Sequence, residues 1–176
     1  MTTRSITRKN FKLRKLNGWE STVLIAHILI CLAFWAIYGL DILPLSDLRY
    51  FVSIYYFMLP FFVLGVLFRS LRNFKFYLAW AFIGFGQLMA YLILRDEPEF
   101  FYGRLSAFSG LKTLFPALIL FQLFRLYLLK KQDRELILSM GQRFSMWEDE
   151  DKRRMTWLEV VFSMLLMAAI IAINVI

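Results

Sequence analysis

Histidine and cysteine each occur once in these 176 residues, as His27 and Cys31. A single cysteine excludes an intramolecular disulfide and any thiolate metal cluster built by this chain alone. A single histidine excludes a haem held by paired histidines of one chain, and it leaves nucleophilic catalysis short of its usual base. Gly-x-Ser-x-Gly, His-Glu-x-x-His, the P-loop and the glycine-rich dinucleotide fingerprint are all missing. Long apolar segments carry no acid near their middle, where a proton or ion path would usually have several. The expectation is therefore a non-enzyme with no catalytic residue, no cofactor and no metal site. His27 and Cys31 share a helix face, but a metal there would need Met or partner residues to complete its shell.

Apolar and aromatic residues make up 60% of the chain, and mean hydropathy is +0.58. An ordinary soluble domain is only about half apolar. Five segments are long enough to cross a bilayer as helices, over about 19–40, 49–68, 76–94, 111–129 and 157–176. The fold expected is an all-α integral membrane protein, a five-span helical bundle. Residues 1–17 form a basic arm and 18–176 a single transmembrane domain. Between spans four and five, over 132–147, Leu136, Ile137, Met140, Phe144 and Trp147 recur at helical spacing among charges. That pattern predicts an amphipathic surface helix facing a partner or the membrane surface. Pro60 and Pro116 fall inside spans two and four, and Pro44 in the first turn between spans.

The chain carries a formal charge of +8. Its basic residues lie in blocks at span ends, which is an orientation signal rather than a nucleic-acid footprint. Sixteen Lys and Arg lie on the side of the amino terminus, and four (Arg49, Arg95, Arg104 and Lys112) on the other. The bias predicts a cytoplasmic amino terminus and an outside carboxyl terminus, as in a bacterial plasma (inner) membrane protein. Arg4, Arg8, Lys9, Lys12, Arg14 and Lys15 stand together without an acid, and are expected to contact anionic lipids of the bilayer. No nucleic-acid partner is expected.

Arg125 lies within span four, about one turn from its cytoplasmic end, and Glu20 and Glu159 begin spans one and five at the same depth. Charge in the inner leaflet is costly alone, so Arg125 is expected to pair with Glu159 or Glu20 unless it snorkels to the head groups. His27, Gln87 and Gln122 are candidates for an interhelical polar network or a short polar path. Small residues at Gly86 with Ala90, and Ala168 with Ala172, would let a neighbouring helix approach closely.

Five spans, this size and many aromatic residues resemble the tryptophan-rich sensory protein family in outline. That family's proline- and tryptophan-rich motifs have no counterpart here, and no family is assigned. The leading expectation is a non-catalytic membrane subunit or assembly factor that docks on other membrane proteins or on its own copies. The alternative is a protomer of a small-solute, ion or lipid transporter or channel, with a cavity near His27, Gln87 and Gln122 and two proline-interrupted spans.

Overall fold

In the computed structural model, residues 14–40, 42, 44–95, 101–102, 105–106, 109–138 and 156–175 are described. Among them, five helices are long and apolar enough to cross a membrane, so the chain is a multi-pass membrane protein on helix length and composition. They are α1 (Gly18–Gly39), α2 (Leu45–Gly65), α3 (Phe74–Leu94), α4 (Leu114–Gln132) and α5 (Trp157–Val175). A helix of about twenty residues rises about 30 Å, the thickness of the hydrocarbon core.

The helix starts follow from local chemistry. Asn17 caps α1 and Glu20 reaches back to the Asn17 N–H at 2.8 Å, a reciprocal capping box. Asn73 accepts from the Lys75 N–H at the start of α3. Pro116 falls in the first turn of α4, where its missing N–H breaks no helix bond, so it does not interrupt that span. Pro60 does lie inside α2.

α4 is the central helix, packed on α2, α3 and α5, while α1 leans on α2. Leu114, Ala117, Leu118, Phe121 and Leu128 of α4 are fully enclosed, against Phe76 and Trp80 of α3 and Val63, Leu67 and Leu71 of α2 and the turn after it. Close approach occurs at Gly84 and Gly110. A Cβ on Gly84 would lie 3.2 Å from the Phe115 backbone, and one on Gly110 would lie 2.6 Å from the Tyr56 carbonyl carbon. At Gly86 a Cβ would meet nothing within 4 Å. Ala168 and Ala172 face outward.

Several boundaries differ from the sequence expectation. α2 begins at Leu45, four residues before Arg49, because Pro44 in extended backbone is a ready helix entry. The loop after α3 contains a two-residue antiparallel hairpin, β1 (Phe101–Tyr102) with β2 (Leu105–Ser106). A 3₁₀ turn, Ser109–Lys112, leads into α4.

The largest difference follows α4. Asp133 takes left-handed backbone at φ 51° and ends the helix, and residues 134–138 run without helix. Leu136 and Ile137, expected on an amphipathic surface helix, are 1% and 2% exposed in the bundle core. Leu138 beside them is also buried. Three consecutive buried apolar residues suit an extended strap with core on both sides, and a surface helix would leave one of them in water. Met140, Phe144 and Trp147 lie outside the described residues.

Candidate functional site

Two polar constellations stand out in this apolar molecule. The first lines a cleft between α1, α2 and α3. At His27, one turn of α1 faces Tyr55 and Tyr56 of α2 and Gln87 of α3. His27 Nδ1 and the Tyr55 hydroxyl are 2.6 Å apart, and Gln87 Nε2 is 3.1 Å from His27 Nε2. With the amide N–H donating to Nε2, the ring proton sits on Nδ1 and is donated to the Tyr55 oxygen. Cys31 Sγ is 3.5 Å from both His27 Nε2 and the Tyr56 hydroxyl. The His27 ring also stacks on Tyr55 and meets Trp80 at a centroid distance of 5.1 Å.

The cleft beside this cluster has a volume of about 320 Å³. Its wall is mainly apolar, with Phe34, Trp35, Val52, Ile83, Ala90 and Leu111 among the lining residues. Gly86 also lines it, which is why that glycine meets no neighbouring helix. Three features of the wall are polar in character. Arg49, in the second turn of α2, has an enclosed Nε without a hydrogen-bond partner. Gln87 is only 7% exposed, and its Oε1 is likewise without a partner. The third is the pair Cys31 and Tyr56.

The second constellation clasps the strap after α4. Arg125, 1% exposed, makes a two-pronged ion pair with Glu135, Nε to Oε2 at 2.7 Å and Nη2 to Oε1 at 2.9 Å. Arg72, in the turn before α3, donates to the Leu136 carbonyl oxygen at 3.1 Å. Glu159 accepts from the Ile137 N–H at 3.2 Å and from the Thr156 N–H at 2.7 Å. Arg72 of the α2–α3 turn and Glu159 of α5 thus bond the backbone of a segment that the core has enclosed, while Arg125 of α4 holds it through the Glu135 carboxylate. Unpaired peptide groups there would each cost several kcal/mol.

No family model, no curated protein and no solved structure matches this chain. The site must therefore be read from its own chemistry.

Of the residues singled out from sequence, His27 and Gln87 come together, and Gln122 of α4 lies outside both the cleft lining and their hydrogen-bonded set. The carboxylate on the Arg125 guanidinium is Glu135, which sequence reasoning passed over because it assigned that residue to a surface helix. Glu20 meets Arg14 at 2.8 Å and closes its own capping box. Glu159 does the same with Thr156, whose Oγ1 accepts from the Glu159 N–H at 3.4 Å. Both boxes were legible as Asn17-x-x-Glu20 and Thr156-x-x-Glu159. Lys15 is exposed, while Arg4, Arg8, Lys9 and Lys12 lie outside the described residues. Arg49, Tyr55 and Tyr56 are the site residues missed. An unpaired arginine at the mouth of an apolar segment was the one signal for them. Among the described residues no three of His, Cys, Asp and Glu gather as a metal site.

Proposed function

We propose that this chain is a non-catalytic membrane protein that binds a lipid-like amphiphile within the bilayer, in the cleft between α1, α2 and α3. The observation that carries the reading is the cleft itself: about 320 Å³, walled by aromatic and aliphatic side chains, with a few fixed polar groups. Small-molecule sites have this make-up, and their volumes start at about 300 Å³. The reading narrows the transport alternative to lipid handling, because the lining offers hydrocarbon a wall and offers a hydrated ion no ring of charge. Discontinuous spans no longer support ion transport, since Pro116 leaves α4 intact.

We assign the amino terminus to the cytoplasm from the sixteen-to-four distribution of basic residues. Arg49 then lies toward the outer face of a plasma membrane. The test is saturable binding of a photoactivatable fatty acid to the purified full chain in nanodiscs. Cross-links should fall on the cleft helices and vanish when the cleft is filled by Gly86→Leu with Ala90→Leu. Cross-linking spread evenly over all five helices, and unaffected by the filling, would sink the proposal.

A second reading, a subunit that docks on other membrane proteins, draws support from α5. Its small-residue face, Ala168 with Ala172, turns outward from the bundle. Cysteines placed at those two positions should cross-link to a neighbour in native membranes; a ladder with no discrete product would remove this reading.

A further inference from the structure

The cleft is not uniformly apolar, and its two unanswered polar groups lie at different depths. Arg49 and Tyr56 are seven residues apart on α2, which a helix converts to about 10 Å along its axis. Tyr56 is near the level of the cluster, because Cys31 Sγ contacts both the Tyr56 hydroxyl and His27 Nε2, and His27 holds Gln87. Arg49 therefore leaves α2 about 10 Å along the axis from the level at which Tyr56 meets the His27–Gln87 cluster.

Each group lacks what a ligand could bring. Arg49 makes no hydrogen bond or ion pair among the described residues, and its enclosed Nε has no acceptor. A guanidinium in an apolar wall calls for an anion, and its fork suits a carboxylate or phosphate. Gln87 spends one side of its amide on His27 and leaves the other bare in a nearly closed position. A buried amide oxygen is costly to leave without a partner, so a ligand group that bonds it gains affinity. A hydroxyl would serve, because it can donate to the oxygen or accept from the nitrogen. Between the two levels the lining is apolar, with Ala90 of α3 on one side and Val52 of α2 on the other. A volume of about 320 Å³ suits a single alkyl chain with its head group.

We propose that the cleft takes a single-chain amphiphile with two polar points, an anionic head at Arg49 and a hydroxyl at the depth of Gln87. This rests on the amphiphile-binding reading above and specifies its ligand. The head is a carboxylate or a phosphate; both meet a guanidinium in the same way, and the probes below separate them. Gln87 and Arg49 then act as a two-point gauge of the spacing between head and hydroxyl: the head fixes one end, and the hydroxyl fits at one position along the chain only.

The experiment uses the purified full chain in nanodiscs of neutral lipid, with native tryptophan fluorescence as the readout; Trp35 lines the cleft. A brominated fatty acid serves as quencher, and unlabelled probes displace it. The probes are dodecanol, dodecanoate, dodecyl phosphate, and hydroxydodecanoates with the hydroxyl at successive positions. Dodecanoate or dodecyl phosphate should displace the quencher at a concentration at least tenfold below that of dodecanol; whichever is stronger identifies the head. One hydroxydodecanoate should compete at least fivefold better than dodecanoate, and its positional isomers should not. Arg49→Gln should erase the preference for an anion and keep the preference for that isomer, and Gln87→Leu should do the reverse. Arg49→Lys, which keeps the charge, should recover part of the anion preference and so excludes misfolding as the cause. If dodecanol and dodecanoate compete equally, or all isomers compete equally, the two-point proposal is overturned while the cleft remains a lipid site. If the quencher itself does not saturate, the amphiphile-binding reading fails first.

Discussion

At the scale of single residues, the structure depends on how few polar groups the interior holds and on which of them find a partner. Arg125 is enclosed and depends on Glu135, whose side chain keeps partial exposure. Removing one partner of an enclosed pair leaves an uncompensated charge. Glu135→Gln should therefore destabilise the protein by about 3 kcal/mol, the low end of that class because Glu135 retains some solvent. Replacing both residues with methionine should recover much of the loss. Thermal unfolding of the three variants in mild detergent measures this, and an additive result would refute the pairing. Tyr55→Phe deletes the 2.6 Å contact with His27 Nδ1 and should cost about 1 kcal/mol in the same assay. A tyrosine merely filling space would lose nothing on that exchange.

At the scale of elements, glycine positions separate contacts within the bundle from open wall. Gly110→Ala would drive a Cβ to 2.6 Å from the backbone of α2, and neither main chain can move aside cheaply. That variant should lose at least 2 kcal/mol, in the range of overpacked cores. Gly84→Ala, at 3.2 Å from the Phe115 backbone, should lose less, and Gly86→Ala should be neutral or slightly stabilising through helix propensity. The ordering Gly110, Gly84, Gly86 is what unfolding midpoints must reproduce. The strap after α4 makes a second claim at this scale. Amide hydrogens of Leu136 to Leu138 should exchange slowly, as core helices do, because that segment is enclosed and clasped by Arg72, Arg125 and Glu159. Exchange as fast as an exposed link would contradict the burial.

At the scale of the whole molecule, α1 is the least enclosed span, burying Glu20, Leu24 and His27 while Ile25, Ile28, Leu29 and Leu32 remain exposed to the bilayer. Its attachment runs through the His27 cluster and through the cleft it helps to wall. Occupancy of the cleft should therefore stabilise the folded state by mass action. Stripping bound lipid with excess detergent should lower the unfolding midpoint of the wild type by several degrees, and re-adding a cleft ligand should restore it. In the Gly86→Leu, Ala90→Leu variant the midpoint should not respond to either treatment.

Length and apolar content determined by themselves that the chain has five helices able to cross a membrane, since a run of about twenty apolar residues has few other homes. Helix starts at Asn17 and Thr156 were also written locally, in side chains three residues apart. Tertiary structure alone decided the rest. The 3.6-residue spacing of Leu136, Ile137 and Met140 suited a surface helix, yet Asp133 ends α4 and the core takes Leu136 to Leu138 as an extended strap. Periodicity describes one helix against water, whereas burial on both faces depends on what else surrounds the segment. Likewise Arg49 and Gln87 belong to different spans and share a cleft only because α1, α2 and α3 pack with open space at Gly86. Which residues stand across a bilayer from one another is set by how helices pack, and a single span's sequence carries no record of its neighbours.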